Sequence, residues 1–88
     1  MVRKFLCPQD ELLTILMEEC GELIQACSKN IRRGEFSSKE LTNEIGDVMA
    51  LLNIAHEYDL FSWDDALERE EVKREKLKKW SNLLAEDD

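Results

Sequence analysis

Two pairs of acidic residues stand inside the most apolar parts of this 88-residue chain. Glu19 and Glu22 lie among Leu16, Met17, Leu23 and Ile24, and Glu44 and Asp47 lie among Leu41, Ile45 and Val48. A carboxylate surrounded by aliphatic side chains is costly unless a cation or hydrogen bonds compensate it. Any fold of this chain therefore has to shelter the aliphatic residues and still give four acids a compensated place.

The spacing of the apolar residues predicts helices. Leu13, Leu16, Met17, Cys20, Ile24, Cys27 and Ile31 recur at three- and four-residue steps, a helical pattern running from about Asp10 to between Lys29 and Arg33, with Pro8 suited to the first turn. On a wheel of ~100° per residue Glu19 falls inside the apolar arc and Glu22 at its edge, whereas Glu18, Gln25 and Lys29 lie further round. Arg32-Arg33-Gly34-Glu35 reads as a turn. Ser37 then reads as an N-cap, with Glu40 closing a capping box and Phe36 and Leu41 forming a hydrophobic staple.

The second helix is expected from Ser38 to about Tyr58. Val48 to Ala55 is apolar nearly all round, apart from Asn53, as in a helix covered on several sides. Ser62 with Asp65 marks the start of a third helix from about Trp63 into the eighties. Its apolar stripe is thin (Trp63, Ala66, Leu67, Leu77, Trp80, Leu84), and ion pairs such as Glu75 with Lys79 suit an exposed face. The acidic tail Glu86-Asp87-Asp88 is expected to fray. The fold class is all-α, an antiparallel hairpin followed by a third long helix, in one domain spanning 1–88.

In an antiparallel hairpin Glu19 opposes Asp47 and Glu22 opposes Glu44 about one common midpoint, residue 33, inside the Arg-Arg-Gly turn. All four acids then face one another. A first helix reaching Arg33 would offset the levels by ~7 Å, so it should end nearer Lys29, or the connection should climb back. Facing carboxylates cannot share a dry site as bare anions. Hard divalent cations resolve the conflict, and four oxygen ligands without histidine or cysteine favour Mg²⁺ or Mn²⁺ over zinc. A di-iron bundle requires Glu-x-x-His; the one histidine, His56, has Asn53 three residues before it. His56 reads instead as a partly buried helix residue.

The formal charge of −8 argues against nucleic acid or an anionic membrane as partner, and an anionic ligand would need metal cations as mediators. Cys20 and Cys27 are seven residues apart, ~10 Å along a helix axis and too far for a disulfide. With Cys7 they read as small core residues in a reducing compartment. No signal segment or membrane span is evident, so a cytoplasmic location is expected.

Glu18-Glu19-x-x-Glu22, followed after residues 23 to 43 by Glu44-x-x-Asp47, resembles the signature of the MazG-like all-α nucleoside triphosphate pyrophosphohydrolases. Gly21-Glu22-Leu23, Ala26, Lys29 and Ile45-Gly46-Asp47-Val48 resemble that family's usual context, and the similarity covers about residues 10 to 58 before weakening in the third helix. The resemblance implies a helical protomer in a four-helix-bundle-like homodimer or dimer of dimers. It implies hydrolysis of NTPs or dNTPs to the monophosphate and pyrophosphate.

On that reading Glu19, Glu22, Glu44 and Asp47 hold Mg²⁺, which grips the triphosphate and lowers the pKa of water. Glu18 supports the site or positions water, with a surface role equally open. Lys29, and more weakly Lys73 and Lys76, reach phosphate oxygens or serve as solvated lysines. Asn53 closes an internal network or reads a base or sugar. Phe61, Trp63 and Trp80 read as dimer core ahead of base-stacking residues. The competing reading is a non-catalytic acidic helical dimer, an interaction module or nucleotide sensor.

Overall fold

The computed structural model describes residues 4, 5 and 7–84, and three helices carry nearly all of them: α1 (Pro8–Arg33), α2 (Lys39–Glu57) and α3 (Trp63–Trp80). The described residues form no strand, so the fold is all-α. The tail beginning at Glu86 lies outside the described residues.

Local chemistry sets each helix boundary. Pro8 begins α1, the Cys7 Sγ accepts from the Asp10 N–H at 3.4 Å, and Asp10 and Glu11 occupy the first turn, where they complement the helix dipole. The helix ends at Gly34, whose φ of 68° is left-handed, as a residue without Cβ readily adopts. The Glu35 N–H donates to the Asn30 carbonyl at 3.1 Å and the Gly34 N–H to that of Ile31 at 3.3 Å, the two bonds of a Schellman motif. The same pair of bonds closes α2, from Leu60 to Ala55 and from Asp59 to His56. Asp59, at φ 58°, plays there the part of Gly34, a conformation Asp tolerates better than most side chains. Ser62 caps α3 by accepting from the Asp65 N–H at 3.2 Å.

The α2 cap lies one residue beyond its expected place. Ser38, not Ser37, is the N-cap, and its Oγ accepts from the Leu41 N–H at 3.0 Å. The choice is made across the turn: the Ser38 hydroxyl donates to Oδ1 of Asn30, a buried residue of α1, at 3.0 Å. Glu40 consequently closes no capping box and instead accepts from the Lys29 Nζ at 2.9 Å. Phe36 is 75% exposed and forms no staple. Helix α1 does continue to Arg33, and residues 34–38 climb back along it. The Asn30–Ser38 and Lys29–Glu40 pairs share a midpoint near residue 34, close to the residue 33 that the acids require.

Within the chain, α1 packs along α2, with Leu12, Ala26 and Ala55 buried between them, while α3 buries none of its residues. His56, Phe61 and Trp63 gather at the α2–α3 corner, with the Phe61 and Trp63 rings edge-to-face at 4.8 Å and His56 5.7 Å from Phe61. His56 is thus exposed yet packed on aromatic rings, rather than partly buried along its helix. Along α3 the ion pair joins Lys78, not Lys79, to Glu75 at 2.9 Å. No helix among the described residues is long and apolar enough to cross a membrane.

Two expectations about burial are overturned. Cys7, Cys20 and Cys27 are all exposed, not core residues. Helix α2 is covered on one side only, leaving Ile45, Met49 and Ile54 exposed. For Cys20, Cys27, Ile45 and Met49 the departures have one geometric cause. Leu13, Met17, Cys20, Ile24, Cys27 and Ile31 form a stripe about 100° round α1 from Leu12 and Asn30, and Ile45 and Met49 lie about 100° the same way round α2 from Glu44 and Ala55. In an antiparallel pair, equal rotations place both stripes on one side of the hairpin, and that side is uncovered among the described residues.

The chain has a radius of gyration of 16.3 Å, against ~12 Å for a compact domain of this length. It exposes 7547 Å², about 2,000 Å² more than the size scaling of folded monomers gives.

Because the α2 cap is set by Asn30, Ser38→Ala is expected to destabilise the protein by about 1 kcal/mol. Ser37→Ala is expected to stay within about 0.5 kcal/mol of the parent. Urea unfolding of both variants at one protein concentration checks this; equal losses would contradict the assignment of the cap.

Candidate metal centre

Residues on α1 and α2 that share the mutual interface, or its acidic edge, build the site. Glu19 comes from the middle of α1, in phase with Leu12 and Ala26; Glu44 and Asp47 come from the first half of α2. Each of the three offers one carboxylate oxygen, and these oxygens all lie within 4.8 Å of one another. Glu19 and Glu44 are half-buried and Asp47 is exposed, so the cluster opens to solvent on one side. That side faces away from the apolar stripes: Glu22 and Asp47 lie on the opposite flank of their helices from Ile24 and Ile45.

The electrostatics of the cluster are unfavourable as it stands. Burial, then repulsion from Glu22 and Asp47, pushes the Glu19 carboxyl above its ordinary pKa of 4.5. Burial likewise raises Glu44, followed by repulsion from Glu22, Asp47 and Glu19 and a hydrogen bond with Glu22. Glu22 therefore belongs to the same electrostatic group, although it is exposed and outside the set of converging oxygens. One carboxylate oxygen, Oε2, of Glu19 and of Glu44 is buried with no hydrogen-bond partner. Buried polar atoms are nearly always paired, and an anionic oxygen has most to lose when it is not.

The donors are all carboxylate oxygens, two with an unsatisfied lone-pair face, gathered where each raises the cost of ionising the others. This chemistry fits a hard divalent cation, which would convert mutual repulsion into shared attraction. It does not fit a soft metal, since none of the three is a thiolate or imidazole.

The other sequence-derived candidates fall in different places. Glu18 is exposed, one helical step round from Glu19, outside the converging set. Lys29 lies two turns beyond Glu22 on the same flank and is engaged by Glu40. This ion pair lowers the Glu40 pKa through its hydrogen bond and charge. Asn53 is exposed on the side of α2 away from α1, so no internal network needs it. Lys73 and Lys76 line a shallow groove on α3 with Leu77 and Trp80, and none of these four belongs to the converging acids.

Sequence reasoning missed Asn30, whose side chain is 6% exposed and fixes the level of α2 through Ser38. A signal existed: Asn30 has the same helical phase as Leu12 and Ala26, so a polar group on the buried face was readable.

No curated protein and no solved structure matches the chain. The sequence model of the MazG nucleotide pyrophosphohydrolase domain matches residues 8–81, which include all three helices and every acid of the cluster. By that match, covering most of its length, the chain belongs to the MazG family.

Proposed function

We propose that this protein hydrolyses nucleoside or deoxynucleoside triphosphates to the monophosphate and pyrophosphate with Mg²⁺, for which Mn²⁺ can substitute. The observation that carries the reading is the convergence of Glu19, Glu44 and Asp47 with two unpaired buried carboxylate oxygens, in a chain of this family. Glu19, Glu44 and Asp47 would hold the cation, with Glu22 as the fourth, outer acid. When bound, the cation supplies charge neutralisation to the triphosphate and acidifies water.

The protein's own contribution is position and charge. Half-buried Glu19 and Glu44 are held by helix packing, so their oxygens need little reorganisation when substrate arrives. Glu22, at the exposed edge of the acid group, accepts the proton of the attacking water. Water adds to phosphorus, the α–β phosphoanhydride bond breaks, and its electrons leave with pyrophosphate. Glu18 flanks the entrance and orients water from outside. Lys29, in exchanging Glu40 for a phosphate oxygen, would hold the departing end of the substrate. Lys73 and Lys76 would reach the site from a second copy of the chain.

A second copy is the natural cover for the apolar face. On α1, Leu13, Met17, Cys20, Ile24, Cys27 and Ile31 follow alternating steps of four and three, the spacing of a seam between helices. The excess exposed area of about 2,000 Å² per chain is of the size that obligate dimers bury. This packing, as a dimer or a dimer of dimers, leaves the acids open on the far side and puts Phe61, Trp63 and Trp80 within reach of shared packing. Three free cysteines on such surfaces suit a reducing cytoplasm.

Glu44→Gln is expected to lower Mg²⁺-dependent pyrophosphate release at least ~100-fold across a panel of NTPs and dNTPs. Unchanged turnover would remove Glu44 from the metal set. The same variant, relieved of one crowded charge, should melt no lower than the parent in chelator and should lose the Mg²⁺-induced rise in melting temperature; a pure interaction module would show no such rise in either protein.

The pKa shifts give the sign of the pH dependence. Glu19 and Glu44 titrate above 4.5 in the folded state, so in the interval just above that value the native protein binds more protons than the unfolded chain. Stability without metal should therefore rise as the pH falls towards 4.5 from above. Glu40 is lowered, so its stabilisation is lost only on further acidification, below 4.5. Calorimetry in chelator would show this rise, and saturating Mg²⁺ should flatten it.

Ile24→Glu is expected to dissociate the assembly. Light scattering should give at least twice the protomer mass for the parent and the protomer mass for the variant. A monomeric parent would exclude the seam.

A further inference from the structure

The acids occupy only the middle of their side of the hairpin. Towards the open end, α1 and α2 leave a notch of about 190 Å³ between Leu12 and Ile15 on one helix and Leu51, Ile54 and Tyr58 on the other, with Glu11 among its walls. Ile15 precedes Glu19 by four residues and Leu51 follows Asp47 by four. The notch therefore begins one turn, ~6 Å, from the carboxylate cluster, and on the same flank of both helices.

We propose that this notch is the nucleobase subsite of the centre, and that Glu11 makes it prefer a base presenting adjacent N–H donors, guanine above all. This rests on the nucleotide reading of the acid cluster. Apart from Glu11 the walls are apolar, and they include the aromatic ring of Tyr58, which is 46% exposed and open to a stacking partner. A flat, partly apolar ring suits such a slot. With the triphosphate on the acids, the sugar spans the single turn between the cluster and the notch.

Glu11 is the one ionisable carboxylate in the notch, and an ionised carboxylate only accepts hydrogen bonds. Guanine offers N1–H and the N2 amino group side by side, matching the two oxygens in a fork. Adenine and cytosine offer one amino group beside a ring acceptor. Uracil and thymine offer one N–H between two carbonyls, and each carbonyl would face a carboxylate oxygen. The order expected is guanine, then adenine and cytosine, then uracil and thymine. Glu11 also lies in the first turn of α1, where an acid favours the helix dipole. That role affects stability alike for every substrate and gives no base preference.

The test has two arms on the full chain. In the first, kcat/KM for GTP and UTP is measured with Mg²⁺ for the parent and for Glu11→Gln. The parent should favour GTP by ~10-fold or more, and the variant, whose amide can donate as well as accept, should lose that preference mainly by losing GTP turnover. In the second, guanosine and uridine, which carry no phosphate, are titrated without metal while the methyl resonances of Ile15, Leu51 and Ile54 are followed by NMR. Guanosine should shift these methyls in the parent and less in Glu11→Gln, with uridine weaker than guanosine. Hydrolysis without base preference and without methyl shifts would overturn the subsite and leave the hydrolase reading standing. Guanosine shifts with no hydrolysis of any triphosphate would sustain the subsite and overturn the hydrolase reading.

Discussion

The hydrogen bond from Ser38 to Asn30 at 3.0 Å is the contact on which the arrangement of this protein turns. It ties the last turns of α1 to the first residue of α2, and the 2.9 Å pair of Lys29 with Glu40 reinforces it beside the same turn. Helical geometry makes the level of α2 matter. A slip of one residue moves a side chain ~1.5 Å along the axis and turns it ~100°. Such a slip would carry Glu44 off the α1 interface and put Asn43 or Ile45 in its place opposite Glu19. The ion pair, with both side chains about 40% exposed, adds little stability by itself. Asn30, being buried, holds the register because losing its bond to Ser38 would strand polar atoms away from water.

Given that register, the site is a region where stability has been set aside. Glu19 and Glu44 are driven towards protonation by burial and by each other's neighbours, and each keeps an oxygen that no group of the protein satisfies. A domain optimised only to persist would place alanine or leucine at both positions. The cluster is coherent as a place that favours a positive charge, in a chain that belongs to the MazG family.

The three helices were legible because their punctuation is local: Pro8, Gly34, Ser62 and the periodic apolar residues act within a few positions of themselves. The facing of Glu19 with Glu44 and Asp47 was legible too, because helical phase and one turn midpoint suffice to derive it. The cap of α2 was not. Ser37 and Ser38 are identical residues in neighbouring positions, and the choice between them is made by Asn30, eight residues from Ser38 and on another helix. Lys29 illustrates a different limit: phase puts it on the flank of the acids, but its reach to Glu40 depends on where the connection between helices climbs. For Lys73 and Lys76 the sequence had no purchase, since α3 has a weak apolar stripe and buries none of its residues.

That weakness of α3 follows from how the 26 residues of α1 are used. Leu12, Ala26 and Asn30 meet α2; Glu22 and Lys29 lie on one flank; Met17, Ile24 and Ile31 lie on the other. The flanks cannot be exchanged. A divalent cation and an anionic ligand require access to water, whereas a stripe with Ile24 and Ile31 each about 70% exposed requires removal from it. A third helix folded back across the apolar flank of its own hairpin would satisfy that requirement within one chain, but α3 buries nothing and leaves Leu67 and Val72 exposed as well. Among the described residues the apolar surfaces of hairpin and third helix therefore remain together as one unsatisfied demand, on the flank away from the acids.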